Sequence, residues 1–64
     1  MNNLKNRNEK GELVTLPQAC EDTNLGMNTV RRLAKEAGAV VKIGKSYRII
    51  RKVLLDYIYE KYTA

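Results

Sequence analysis

The sequence predicts a small α+β domain made of two helices, a β-hairpin and a C-terminal helix. Two consecutive segments place apolar residues at helical spacing, the next two are β-branched and aromatic around a glycine turn, and the last returns to helical spacing. The chain has 64 residues, 44% of them hydrophobic, which supports one modest core and no second lobe. We expect a folded domain over residues 13–64 and a flexible arm over residues 1–12, where asparagine and mixed charge prevail.

The first helix is predicted to begin after Thr15 and to end near Thr23. Thr15 and Gln18 have the spacing of a capping box, and Pro17 is tolerated in the first turn. One apolar stripe should be buried, because its members follow the i, i+3, i+4 rule. It consists of Leu16, Ala19, Cys20 and the methyl group of Thr23.

The second helix is predicted over Met27 to Ala37, after a short turn in which Gly26 either takes an unusual backbone angle or caps the helix. Gly38 has the position of a left-handed C-cap. The expected buried side is Met27, Val30, Leu33, Ala34 and Ala37. The opposite side spans about 100° of a helical wheel and carries Asn28, Arg31, Arg32 and Lys35.

The hairpin is predicted from two strands, 39–43 and 46–50, around Gly44 and Lys45. Because side chains alternate along a strand, one face should cover the helices. That face is expected to hold Val41, Ile43, Tyr47 and Ile49. Lys42 and Arg48 should then point together toward solvent or a ligand.

A third helix is predicted from Arg51 to about Lys61, with Lys52 and Asp56 four residues apart on its outer side. Its inward residues should be Leu54, Tyr57 and Ile58. A second apolar stripe, Leu55, Tyr59 and Tyr62, lies beside them. This stripe is either extra core against the N-terminal arm or a surface for a protein partner.

The composition argues against several classes of function. With one cysteine and no histidine, the chain builds neither an internal disulfide nor a zinc cluster, and Cys20 is either a small core residue or a reactive thiol. The scattered carboxylates offer no acid–base pair. We therefore expect no enzyme, metal, cofactor or small-molecule substrate. The sequence lacks a signal-peptide stretch and a run of roughly 18 apolar residues, so we expect no membrane partner and a cytoplasmic location.

The charge is unevenly distributed along the chain. The net charge is +5, and residues 26–50 carry six Lys and Arg residues against one Glu. Such clustering is typical of a phosphate-binding footprint, although a basic helix face is often only a solvated one.

The order of a helix, a tight turn, a second helix with a basic face and a basic-tipped hairpin predicts a winged helix-turn-helix that binds double-stranded DNA. Asn28 and either Arg31 or Arg32 are candidates for reading base edges in the major groove. Phosphate contacts are assigned to Thr29, Lys35 and Lys42. The wing contacts are assigned to Lys42, Lys45, Ser46 and Arg48.

Two of these assignments have structural alternatives, and Tyr47 in the wing also has two interpretations. Lys45 is alternatively a turn residue chosen for solubility, and Arg48 a partner for a helix carboxylate. Tyr47 is either a core residue of the wing or a platform for base stacking.

Three segments, 16–20, 23–34 and 41–49, resemble the excisionases of conjugative transposons and phages, also called recombination directionality factors, which share a winged-helix fold with the mercury-resistance-type regulators. The resemblance covers residues 14 to about 60. It implies a recognition helix over 28–35, a wing over 42–48, and a protein that bends attachment-site DNA to help a tyrosine-type integrase excise a mobile element. Many of these proteins carry Ser or Thr where this chain has Gly26, so a hydroxyl for a phosphate is missing there.

The same fold serves other roles, which the sequence leaves open. A small transcriptional regulator would read an operator without a recombinase, and an adaptor would bind mainly another protein. An excisionase would have an integrase or neighbouring copies on DNA as partners.

Overall fold

A computed structural model of the chain describes residues 11–64. In chain order the elements are β1 (Leu13–Val14), α1 (Leu16–Thr23), α2 (Met27–Ala37), β2 (Val40–Ile43), β3 (Ser46–Ile50) and α3 (Arg51–Tyr62). The strands form one antiparallel sheet in the order β1-β3-β2. The predicted α+β class and the order helix, helix, hairpin, helix are confirmed, and the arrangement is that of a small winged helix.

The ends of α1 and α2 follow the local signals in the sequence. The Thr15 hydroxyl accepts from the Gln18 amide at 3.2 Å, and the Gln18 side chain accepts from the Thr15 amide at 3.0 Å, which completes the predicted capping box. Gly38 is left-handed, with φ 72°, as predicted. Gly26 is an N-cap with an ordinary φ of −74°, and the left-handed residue of the turn is Asn24, with φ 59°.

The core lies between the helices and one face of the sheet. Its buried residues are Val14, Leu16, Ala19, Val30, Leu33, Ala34, Ala39, Ile49 and Leu54. The predicted inward residues of α3 are confirmed, since Leu54 is buried and both Tyr57 and Ile58 pack against the core. The prediction for Met27 was wrong, because this side chain is 48% exposed. Side chains lean toward the N-terminus of a helix, so that of the first helical residue points past the core.

The face assignment of the hairpin was wrong for β2. Val40 pairs with Ile49, Val41 with Arg48 and Lys42 with Tyr47, so the inner face contains Val40, Tyr47 and Ile49. Residues directly opposite each other share a face, which puts Val41 and Ile43 on the outer one. Ile43 is accordingly 61% exposed. Lys42 and Arg48 lie on opposite faces of the sheet, contrary to expectation, because a shift of one residue exchanges the faces of a strand.

Strand β1 is an addition to the predicted elements. Leu13 pairs with Ile50 and Val14 with Ile49, and the Arg51 amide donates to the Glu12 carbonyl at 2.8 Å. Residues 1–10 of the predicted arm lie outside the described residues. Within residues 11–64, no helix has the length and apolar character needed to cross a bilayer.

Candidate nucleic-acid interface

The outer face of α2 presents the polar side chains that the sequence assigned to DNA. Asn28, Arg31, Arg32 and Lys35 are all exposed, and with Glu36 they line one open groove along the helix. Val30 and Leu33 are buried on the opposite side of the same helix. The core therefore fixes which face of α2 is available to a ligand.

Arg32 differs from its neighbours because it is held by other side chains. Its Nη1 lies 3.2 Å from Glu36 Oε2, one turn further along α2. The Tyr62 hydroxyl and then the Glu36 carboxylate raise the pKa of Arg32. This guanidinium is held by Glu36 and lies in one groove with Tyr62 of α3, so it is less available to a base edge than that of Arg31.

Glu36 is the centre of a polar cluster that joins α2 to α3. The Tyr57 hydroxyl donates to Glu36 Oε1 at 2.8 Å, and Lys61 Nζ lies 3.7 Å from the same oxygen. Lys61 Nζ also lies 3.0 Å from the Tyr57 hydroxyl. The hydrogen bond from Tyr57, aided by Arg32 and Lys61, lowers the pKa of Glu36 against the opposing effect of desolvation. The cluster therefore connects α3 to the C-terminal part of α2, beside the basic face.

Arg31 and Lys35 have no partner of this kind. In the part of the chain that the structure describes, neither side chain makes an ion pair or a hydrogen bond. Their charges are therefore available to an external anion.

Thr29 is not brought to the basic face. It is half-buried and lines a groove between α2 and α3 together with Leu25, Ile58 and Tyr62. The sequence assigned Thr29 to a phosphate, but the structure places it toward α3.

The wing carries exposed cations at its tip and on one face. Lys45 follows Gly44, whose φ of 58° makes the turn, and Lys42, Lys45 and Ser46 are exposed. Arg48 is half-buried, and its Nη1 donates to the Tyr47 carbonyl at 2.9 Å. No carboxylate of the described residues pairs with Arg48.

Tyr47 packs against the core, as the first of its two interpretations predicted. Its hydroxyl oxygen is buried and has no hydrogen-bond partner among the described residues. An unpaired buried hydroxyl costs free energy.

The second apolar stripe of α3 is divided between two places. Leu55 is half-buried and, with the more exposed Tyr59, lines an open groove beside Gly11 and Glu12. Tyr62 lies instead beside α2. The stripe does not form the single surface that its spacing indicated.

Residues 12–61 match a family of unknown function, DUF6462. The chain belongs to this family. No curated protein and no solved structure matches it. The DUF6462 match runs from the residue before β1 almost to the end of α3, and it includes the whole basic face of α2 and the wing.

Within residues 11–64 of this DUF6462 protein, the remaining cations lie on α3 and are paired. Arg51 Nε lies 3.1 Å from an oxygen of Asp22, and Lys52 Nζ lies 3.1 Å from an oxygen of Asp56. Lys61 completes the set through Glu36. The sequence predicted the Lys52 pair from its spacing, whereas the Arg51 pair joins residues 29 positions apart and has no local signal.

Proposed function

We propose that this protein binds duplex DNA and acts by binding alone, without catalysis. Helix α2 enters the major groove, and the wing approaches the flanking backbone or the minor groove. The observation that carries this proposal is the distribution of unpaired charge. The cations of α2 and the wing other than Arg32 have no carboxylate partner within residues 11–64, whereas those of α3 are paired.

Different residues would read the base sequence and fix the position of the protein on the duplex. Asn28, near the N-terminal end of α2, is exposed and has the side chain that pairs bidentately with adenine. Lys35, two turns further on, and Lys45 at the wing tip are suited to phosphates, which set the register without reading sequence.

The biological role that we propose is that of a recombination directionality factor. The resemblance of the α1, α2 and wing segments to excisionases supports it. The protein would bend attachment-site DNA and act with a tyrosine-type integrase or with neighbouring copies of itself on the DNA, in the cytoplasm. The fold alone serves transcriptional regulators equally well.

Footprinting of the full chain on the DNA that flanks its own gene tests this proposal. Protection of an attachment arm supports the excision role, and protection of a promoter assigns the protein to the regulators. Absence of protection, together with no salt-dependent binding to any duplex, overturns DNA binding.

A matched pair of variants tests whether DNA binds to the outer face of α2. Lys35→Ala and Lys52→Ala remove the same charge from exposed positions on α2 and α3. We expect Lys35→Ala to weaken binding and Lys52→Ala to leave it nearly unchanged. Equal losses would mean that the protein binds DNA through its net charge and not through α2.

A further inference from the structure

A further depression lies where α1, α2 and β3 meet, and Arg31 separates it from the groove along α2 by lining both. It has a volume of about 320 Å³ and is lined by Thr15, Leu16, Pro17, Arg31, Tyr47 and Arg48. Strand β1 pairs only with Ile49 and Ile50, so β3 extends beyond it at this side of the sheet. The depression therefore joins the recognition helix, the wing and the start of α1.

The charged residues that line this depression are all positive. Two arginines line it from different elements, Arg31 from α2 and Arg48 from β3, and no acidic residue lines it. Helix α1 begins at Leu16, so the positive end of its dipole lies in the same wall. Arg31 has no described partner, and the single hydrogen bond of Arg48 to a carbonyl leaves most of its donors unused. Two unneutralised guanidinium groups at one concavity favour an anion with several acceptor oxygens.

We infer that this depression is a seat for one phosphate group, held jointly by Arg31 and Arg48. The inference rests on the proposed function, in which the phosphate belongs to the DNA backbone. Arg31 then positions the protein on the duplex and reads no base, contrary to its sequence-based assignment. Base reading by α2 is left to Asn28 and the residues beside it.

A double-mutant cycle on a random-sequence duplex tests the shared seat. Arg31→Ala and Arg48→Ala should each weaken binding about tenfold, the equivalent of one charge-assisted hydrogen bond. The double variant should also lose little more than tenfold, since either change alone breaks the seat. In the control cycle, Arg31→Ala and Lys45→Ala should multiply, because Lys45 lies at the wing tip and does not line the depression.

Multiplication of the Arg31 and Arg48 effects overturns the shared seat, as does unchanged binding in either single variant. Both results leave DNA binding itself intact. Arg31→Ala should also weaken cognate and random duplexes equally, and a loss confined to the cognate duplex overturns the positioning role. Melting by circular dichroism checks each fold, and Arg48→Gln replaces Arg48→Ala if the half-buried site loses stability.

If the parent chain binds no duplex, the proposed function fails. Binding of inorganic phosphate then tests the phosphate seat by itself. The full chain is then titrated by NMR at constant ionic strength. Joint, saturable shifts at the Arg31 and Arg48 Nε–H groups and the Leu16 amide support the seat. Shifts spread evenly over all cations, or none, overturn it.

Discussion

Helices α2 and α3 each carry three basic residues, but the two sets differ in how many are paired with a carboxylate. Each basic side chain of α3 has a carboxylate within 4 Å, contributed by α1, α2 or α3 itself. On α2 only Arg32 has one. A net charge of +5 therefore says less about a partner than the set of cations that the fold leaves unpaired.

Arg32 and Glu36 mark the boundary between the two faces. Glu36 belongs to α2, yet it accepts from Tyr57 on α3 and pairs with Arg32 beside it. Because Glu36 contacts both Arg32 and Tyr57, it links Arg32 of the basic face to the contact between α2 and α3.

The contrast between α2 and α3 depends on which side of α2 is buried. Leu33 is 4% exposed, and Leu33→Ala should destabilise the protein by about 2 to 5 kcal/mol, because it leaves a cavity in a small core. Thermal melting followed by circular dichroism measures this loss. Met27→Ala, on the same helix but exposed, should change stability by less than about 0.5 kcal/mol. An unchanged midpoint for Leu33→Ala would mean that the basic face is the buried one.

The salt dependence of DNA binding counts the cations that neutralise phosphates. About four to five neutralised phosphates predict that log K falls against log salt with a slope of about −4. Lys45→Ala should reduce this slope by about one, whereas Lys52→Ala, whose charge is paired with Asp56, should leave it unchanged. The slopes come from titrations of one random duplex at several salt concentrations. Equal changes in both variants would remove the distinction between the two faces.

Removing the carboxylate partner of Arg32 tests whether the ion pair with Glu36 keeps this cation from contacting DNA. Glu36→Gln removes the partner of Arg32, so DNA affinity should rise while folding stability falls. The lowered pKa of Glu36 means that its stabilising effect is present above the ordinary carboxyl pKa of 4.5 and is lost as pH falls through the lower, folded-state pKa. The melting difference between parent and variant should therefore shrink in acid.

The control for Glu36→Gln is Asp56→Asn, which makes the same charge change on α3. It should raise DNA affinity less, since Lys52 lies away from the proposed interface. A Glu36→Gln variant that binds DNA no better than the parent would show that Arg32 stays with α3 without its carboxylate.

A substitution at Gly26, at the start of α2, should change the stability of the protein only slightly. Gly26 is the N-cap, its φ is ordinary, and a Cβ there would meet nothing within 4 Å. Gly26→Ser should thus add a capping hydroxyl and stabilise the protein by a few tenths of a kcal/mol. Gly38→Ser should instead destabilise by about 1 kcal/mol or more, because Gly38 has a φ of 72°. Chemical denaturation resolves both, and a loss in Gly26→Ser would contradict the ordinary backbone seen there.

Local signals in the sequence predicted most of the fold. The capping box at Thr15, the C-cap at Gly38 and the hairpin around Gly44 each depend on residues within one or two turns. The hydrophobic period also placed Val30 and Leu33 correctly.

What the sequence did not predict depends on tertiary contacts. The alternation in 40–43 fits either face of the sheet, and only the register with β3 decides between them. Strand β1 has two residues, too few for a period to appear. The contacts that link Arg32 and Glu36 to α3 were missed because Tyr62 reaches Arg32, and Tyr57 reaches Glu36, from another helix.

Strand β1 also has a consequence for how the domain assembles. Its pairing of Leu13 with Ile50 closes a loop of roughly 35 residues for only two rungs of ladder, whereas the β2–β3 hairpin closes locally. We therefore expect β1 to join the sheet late in folding and to detach first under native conditions. In amide hydrogen exchange, the Arg51 N–H bonded to Glu12 should exchange sooner than the Ile50 N–H bonded to Ala39. The β2–β3 hairpin and its contacts with the helices would thus persist when the segment before α1 detaches from the sheet.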